Sequence, residues 1–345
     1  MNNQLYNKKS KEDLKTELEN EPFNRATLSF YKYINLQNLD ELRDKLYIDL
    51  NHMNVLGRIY VSKEGINAQL SIPENKHDEL KNYFNSYDEF KDIHIKQAIQ
   101  EGNSFYKLTI KIKDEIVAYN IDSKEYDMNH VGNHLNPKEF NEAIENPDSI
   151  IVDIRNHYES EVGRFKNAIV PDVDRSQELL SEVKELLDGK ENKKILLYCT
   201  GGIRCEKASS YLIKNNFKDV NQLKGGIINY SHEVKNKNLE SKFIGKNFVF
   251  DHRLGERITE DIISSCHQCN NKNDYHRNCD NDLCHLLFIQ CSACDEKYDG
   301  CCSQECKDYK NLNDKDKKIK KAEFLDYNHK RLKGKVKPKL YQILN

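Results

Sequence analysis

The stretch Leu196–Leu212, LLYCTGGIRCEKASSYL, decides how the middle of this chain folds. It runs apolar as far as Tyr198, sets Cys199 ahead of Thr200-Gly201-Gly202-Ile203-Arg204, and then takes helical spacing. A buried strand, a glycine loop and a helix in that order belong to a parallel α/β sheet, which binds ligands at the carboxyl ends of its strands. Cys199 stands at such an end. Gly201 and Gly202 let the backbone curl so that successive N–H groups face one concavity, an anion-binding nest. The helix starting near Cys205 aims its positive end at the same point, and Arg204 adds a charge-assisted donor. All three favour thiolate over thiol, and a depressed pKa makes a cysteine a nucleophile. Two other roles compete for Cys199, a metal ligand and a buried structural cysteine.

Working outward, NPKEFNEAIEN reads as a helix, SIIVDIRN as a short buried strand and SQELLSEVKELLDG as a helix. KKILLYC is a second strand, EKASSYLIKNN its helix and VNQLKGG a last strand. Near-continuous apolar strands alternating with helices predict a parallel α/β domain over 126–247. Before it, ATLSFYKYINL, LDELRDKLYIDLNHMN, GRIYVSKEGINAQLSI, NKHDELKNYFNSY and FYKLTIKIKDEIVAY read as strand, helix, two strands bent at Glu64-Gly65, helix and strand. That order predicts a ferredoxin-like, acylphosphatase-like α+β sandwich over 23–125. Residues 1–22 are charged and lack periodicity, as in a mobile leader or a short helix. A cysteine-rich segment follows over 248–306, then a basic tail over 307–345 with 13 Lys/Arg against 5 Asp/Glu. The fold class is therefore multidomain, α/β and α+β.

Of 345 residues 32% are charged, the net charge is −2 and the mean hydropathy is −0.85, so no charge extreme points to one partner class. The polar N-terminus has no export signal, and no apolar run approaches the roughly 20 residues of a membrane helix. A cytoplasmic protein with no membrane association is the expectation. Thiols stay reduced there, so eleven cysteines point to metal or catalysis before disulfides. None occurs before Cys199, and nine crowd between Cys266 and Cys306.

The loop spacing narrows the chemistry. Tyrosine phosphatases place arginine six residues after the nucleophilic cysteine; here Arg204 falls at five and Cys205 takes the sixth place. A loop one residue shorter suits an atom carried on sulfur better than a tetrahedral phosphate, and it resembles the loop of rhodaneses. VDIRNHYESEVGRFKNAI, LLYCTGGIRCEKASSYL and QLKGGIINY together resemble a rhodanese domain. With GRIYVSKEGINAQL, KIKDEIV, GKNFVFDHR and the block Cys266–Cys306, the chain resembles the rhodanese-containing tRNA uridine hydroxylases from about Phe23 to the last cysteines.

The resemblance implies oxygen-dependent formation of 5-hydroxyuridine at the wobble position, with tRNA as partner and molecular oxygen as co-substrate. Cys199 takes the position that carries a persulfide in rhodaneses, with Arg204 and the loop residues Thr200, Gly201, Gly202 and Ile203 supporting its anion. Asp153, Arg155 and Glu159 match the segment that supports the loop, and they equally suit plain pairing and capping. Cys205 suits a packed small side chain better than a resolving thiol. Tyr230 stands where many rhodaneses carry Trp, and it can fill the same slot.

In the cysteine block, Cys266-x2-Cys269 and Cys291-x2-Cys294 are separated by 21 residues, a set suited to one zinc held by four thiolates. The remaining thiols, with His267, His276 and His285 nearby, suit a second site; iron–sulfur ligation and disulfides are the alternatives. Lys63 and Asn67 in SKEGIN, beside a glycine bend, suit contact with backbone phosphate, and a plain β-turn explains Gly65 equally well. The basic tail suits either a solvated disordered end or nonspecific phosphate attachment, with Phe324, Tyr327 and Tyr341 available to stack on bases. No dinucleotide fingerprint or H-x-D iron triad occurs, so no nucleotide cofactor is expected; protein partners are not indicated. The loop alone equally fits a sulfurtransferase passing persulfide sulfur to a thiol or a tRNA base. A zinc-stabilised RNA-binding protein with a vestigial rhodanese is the non-enzymatic alternative, and the intact Cys199 counts against it.

Overall fold

The computed structural model describes residues 5–332. Five strands make the first sheet, in the order Lys96–Gln97, Arg25–Tyr33, Gly65–Pro73, Leu56–Ser62, Leu108–Ile112. All neighbours are antiparallel except the last pair. Strands 56–62 and 65–73 form the hairpin anticipated at Glu64-Gly65. A Cβ on Gly65 would lie 2.0 Å from the Lys32 carbonyl, so this close backbone crossing requires glycine. Helices Leu39–His52 and His77–Asn85 bury Leu46, Leu50, Leu80 and Phe84 against one face. On the other face the registers Tyr31↔Asn67↔Tyr60 and Ser29↔Gln69↔Arg58 line up a polar ladder across three strands. The sandwich is ferredoxin-like, with one difference from the sequence expectation. The edge beside Arg25–Tyr33 belongs to the two-residue strand Lys96–Gln97, whereas Leu108–Ile112 is added at the opposite edge, parallel to Leu56–Ser62.

Four parallel strands build the second sheet, in the order Asn133–Leu135, Asp219–Leu223, Lys194–Tyr198, Ser149–Asp153. Helices cover both faces, over cores centred on Val152, Ile195, Leu197 and Leu212 on one side and on Phe140, Leu196, Tyr198 and Tyr230 on the other. The strand Lys194–Tyr198 alternates between these two cores. This is why it is apolar throughout. Tyr230 is fully buried, with its hydroxyl donating to Asn141 at 2.7 Å and its ring edge-on to Phe165.

Beyond this sheet, Phe243–Asn247 pairs with Gly163–Phe165 and Glu256–Arg257, which binds the C-terminal part to the central domain. A short hairpin, His276–Asn278 with Leu287–Ile289, and helices Ser292–Tyr298, Gln304–Lys310 and Asp314–Leu332 complete the described chain. Of the two readings of the leader, a mobile segment or a short helix, residues 11–19 form the helix, with Leu14 buried. The expectation for the basic end changes: residues 307–332 are largely helical, and Phe324 is buried in the C-terminal core beside Tyr309, with Tyr327 half-buried against it, so Phe324 is not presented for base stacking. Tyr341 lies outside the described residues.

Candidate active site

The loop between the strand Lys194–Tyr198 and the helix Ile203–Lys214 is held by what its carbonyls meet. The N–H groups of Ile227 and Ile228, in the first turn of the helix Gly226–Asn236, donate to the carbonyls of Cys199 (3.0 Å) and Thr200 (3.1 Å). Lys96 Nζ donates to Gly201 O at 2.6 Å, and the Cys205 N–H donates to Gly202 O at 3.0 Å. The hydroxyls of Tyr33 and Tyr119 donate to the carbonyls of Ile203 and Arg204. With every carbonyl from 199 to 204 so engaged, N–H groups are left to face the sulfur. Gly202, at φ +97°, donates its N–H to Cys199 Sγ at 3.1 Å.

Cys199 is fully buried. Burial pushes its thiol up. The hydrogen bond from the Cys205 thiol, the Arg204 charge, and the backbone N–H groups of Cys205 and Gly202 outweigh burial and hold it at about 5. Burial and the neighbouring Cys199 raise the Cys205 thiol well above its usual range, so it stays protonated and donates. Cys205 is thus fully buried and a hydrogen-bond donor to the Cys199 sulfur.

Arg204 acts at longer range than its spacing suggested. Its guanidinium is engaged in a bidentate pair with Glu159 (2.6 and 2.8 Å) and reaches Thr200 Oγ1 at 3.3 Å. Asp153, Arg155 and Glu159 divide into two groups. Glu159 anchors Arg204. Asp153 and Arg155 form a fully buried pair that also takes in Ser160, Tyr198 and the Gly163 carbonyl, fixing the strand end just before Cys199. Asp153 and Arg155 therefore position the loop without touching it.

The polar face of the first sheet closes over this loop and leaves a cavity of about 310 Å³. Tyr31, Arg58, Asn67 and Lys96 supply one wall, Thr200, Gly201, Ile203 and Arg204 the floor, and Phe250 part of the rim. Cys199 Sγ lies beneath that floor and not in the lining. Lys96 is the group sequence reasoning missed. It sits on the two-residue edge strand, is 7% exposed and lies 4.5 Å from the Tyr31 ring centre. Burial lowers its ammonium to about 8, against the pull of Cys199 and Glu206. Nothing in DIHIKQAIQEG distinguishes it from a surface lysine; only the strand order brings it to the loop.

Glu206 is a second unforeseen residue, accepting from Tyr31 (2.9 Å), His134 (2.9 Å) and Gln222 (3.0 Å). Of the two SKEGIN residues expected at phosphate, Asn67 lines the cavity and Lys63 does not. Between them Glu64 joins Glu115 around the buried ammonium of Lys207, at 2.8 and 2.9 Å, and so ties the first sheet to the active-site helix.

In the C-terminal segment the sulfurs of Cys266, Cys269, Cys291 and Cys294 lie within 4.8 Å of one another, the set the two C-x2-C pairs predicted. A second group, Cys279, Cys284, Cys302 and Cys306, is equally close. Among the described residues no histidine enters either group, and Cys301 stays outside both. His267 pairs instead with Glu161 at 2.7 Å, beside the Glu159 turn. The donor sets of both groups suit a soft divalent metal.

Comparison with known proteins places these parts in one family. Residues 25–116 match the UPF0176 acylphosphatase like domain, 136–233 the rhodanese-like domain and 244–307 the domain described as rhodanase C-terminal. A tRNA uridine(34) hydroxylase of Leptospira interrogans is 52% identical over 341 residues, covering 98% of this chain and 93% of that protein. Proteins of the same name from Yersinia enterocolitica and Yersinia pestis are 46% identical over 320 residues, 92% of this chain and 91% and 90% of theirs. With identity of this order over nearly the whole length of both partners, the chain belongs to the tRNA uridine(34) hydroxylase family.

Proposed function

We propose that this protein is a cytoplasmic tRNA-modifying oxidoreductase that converts the wobble uridine to 5-hydroxyuridine, with Cys199 as the required active-site group. The observation that carries the reading is a stabilised cysteine thiolate directly under a cavity walled by a second domain, in a chain of this family. The cavity lies at the small end of the roughly 300–1,000 Å³ range of ligand pockets, room for one extruded nucleotide and not for a stacked helix. Tyr31 and Phe250 offer faces for the base, and Arg58 offers a cation for backbone phosphate.

Within that frame each residue has a defined task. Gly202, Cys205 and the Arg204–Glu159 pair hold Cys199 anionic. Lys96, whose proton is lost near pH 8, balances that charge and can give or take a proton at the cavity wall. The net change replaces C5–H by C5–OH, a two-electron oxidation of the ring. With molecular oxygen as oxidant the second oxygen atom leaves as water, taking two electrons and two protons from an external reductant. A thiol is the reductant class matched to a site whose reactive group is itself a thiolate.

Cys266, Cys269, Cys291 and Cys294 would hold a structural zinc, which when bound supplies cross-linking to a segment with little apolar core. The tRNA backbone is met by the exposed Lys318, Lys320 and Lys321 of the last helix.

The thiolate cradle also favours a second reading, transfer of a sulfur carried on Cys199 to a thiol or a tRNA base. Nucleoside mass spectrometry of tRNA from cells lacking the gene, complemented with wild type or Cys199→Ala, decides between them. Loss of 5-hydroxyuridine derivatives restored only by wild type supports hydroxylation. Loss of a thiolated base instead selects sulfur transfer, and unchanged nucleosides exclude both as tRNA modifications.

A further inference from the structure

We propose that Cys279, Cys284, Cys302 and Cys306 form a second tetrathiolate centre for a thiophilic divalent cation, zinc, sharing no ligand with the centre at Cys266, Cys269, Cys291 and Cys294. Four sulfurs about 2.3 Å from a tetrahedral cation stand roughly 3.8 Å from one another. Here Sγ of Cys302 lies 3.6 Å from Sγ of both Cys284 and Cys306, and all four sulfurs fall within 4.8 Å. The cysteines converge without pairing, since no disulfide joins any of the eleven.

The surroundings are those of a ligand site. The Cys302 N–H points at Cys279 Sγ at 3.4 Å, the donor a metal-bound thiolate accepts. Asn281 closes the turn between Cys279 and Cys284, accepting the Leu283 N–H on its side chain and the Cys284 N–H on its carbonyl. Its amide also donates to the Cys306 carbonyl at 3.2 Å, which locks both halves of the site together. Ser303 caps the helix Gln304–Lys310, so Cys306 projects from an ordered first turn. The local core around these sulfurs holds few large apolar side chains, chiefly Leu286, Phe288, Tyr309 and Phe324, and a cation would supply the missing cohesion.

In the sequence the spacings C-x4-C and C-x3-C leave these ligands among five remaining thiols with histidines nearby, and the structure selects four of the thiols and no histidine. Cys301 is the internal control. It is buried beside Cys302 and takes no part in either group.

Metal content of the full-length protein, purified without added metal and measured by inductively coupled plasma mass spectrometry, tests this. Two zinc per chain are expected. Cys302→Ser/Cys306→Ser keeps one, Cys266→Ser/Cys269→Ser keeps the other, and Cys301→Ser keeps both. The pattern separates failure of the second centre from failure of the first. One zinc or none in wild type, two in the Cys302→Ser/Cys306→Ser variant, or iron with inorganic sulfide overturns the proposal. Should that variant fail to fold, cobalt titration of the metal-stripped wild-type chain decides. Thiolate-to-cobalt absorbance rising to two equivalents supports the second centre, and saturation at one overturns it.

Discussion

At the scale of single residues the site works by charge. A thiolate held near pH 5 and an ammonium lost near pH 8 define a window in which both are ionised. Cys199 needs pH above its value to be anionic, and Lys96 needs pH below its value to be cationic. Activity with tRNA should therefore rise through about pH 5, stay level, and fall through about pH 8. Lys96→Met should lower kcat on the order of 10²-fold, the effect of removing one charge-stabilising donor, and abolish the alkaline limb. An unchanged alkaline limb in that variant would assign it to another group. Cys199→Ala should cost at least on the order of 10³-fold while leaving tRNA binding intact, measured by single-turnover kinetics and by filter binding.

At the scale of elements the loop depends on close backbone approaches and one buried ion pair. Glu159→Ala leaves the Arg204 guanidinium buried without its partner, which should cost about 3–5 kcal/mol in urea unfolding. Glu159→Leu combined with Arg204→Met should recover much of that stability and none of the activity. Gly226 sits at φ +70°, and a Cβ there would meet the Cys199 carbonyl at 2.6 Å, so Gly226→Ala distorts the loop directly.

The elements also mark what sequence can carry. The strand before Cys199, the glycine loop and its helix were legible because their signals are local: apolar runs, glycines at fixed offsets, a cysteine between them. The hairpin at Gly65 was legible for the same reason. Lys96–Gln97 was not, because a two-residue strand has no periodicity and its place is set by pairing with Leu28 and Ser29, nearly seventy residues earlier. Arg204 was placed at the anion by spacing alone, and its engagement with Glu159 depends on a tertiary approach across 45 residues. A second site among the remaining thiols was legible too, but which four of the five form it was not, its two halves being 18 residues apart at their nearest ligands.

For the whole molecule, three parts must dock to make one cavity. The Glu64–Lys207–Glu115 cluster and the bonds from Glu256 to the N–H groups of Ile99 and Gln100 join the first sheet to the rest. Glu64→Gln with Glu115→Gln should strip Lys207 of its counter-charges and split a single calorimetric transition into two, the N-terminal domain melting first. On the outer surface, replacing Lys318, Lys320 and Lys321 by Glu should weaken tRNA binding and reduce the salt slope by about one unit per lost phosphate contact. Equal slopes for both proteins would remove that helix from the interface.

The lysine that reaches across the cleft makes its geometry answerable to solvent acidity. Lys96 belongs to one domain and the Gly201 carbonyl to another, so parting the domains returns the side chain to water and to an ordinary pKa of about 10.4. Between roughly pH 8 and that value the shut form holds Lys96 neutral while the open form takes up as much as one proton. Any separation that frees Lys96 in this range therefore takes up protons, and alkaline conditions favour the closed arrangement.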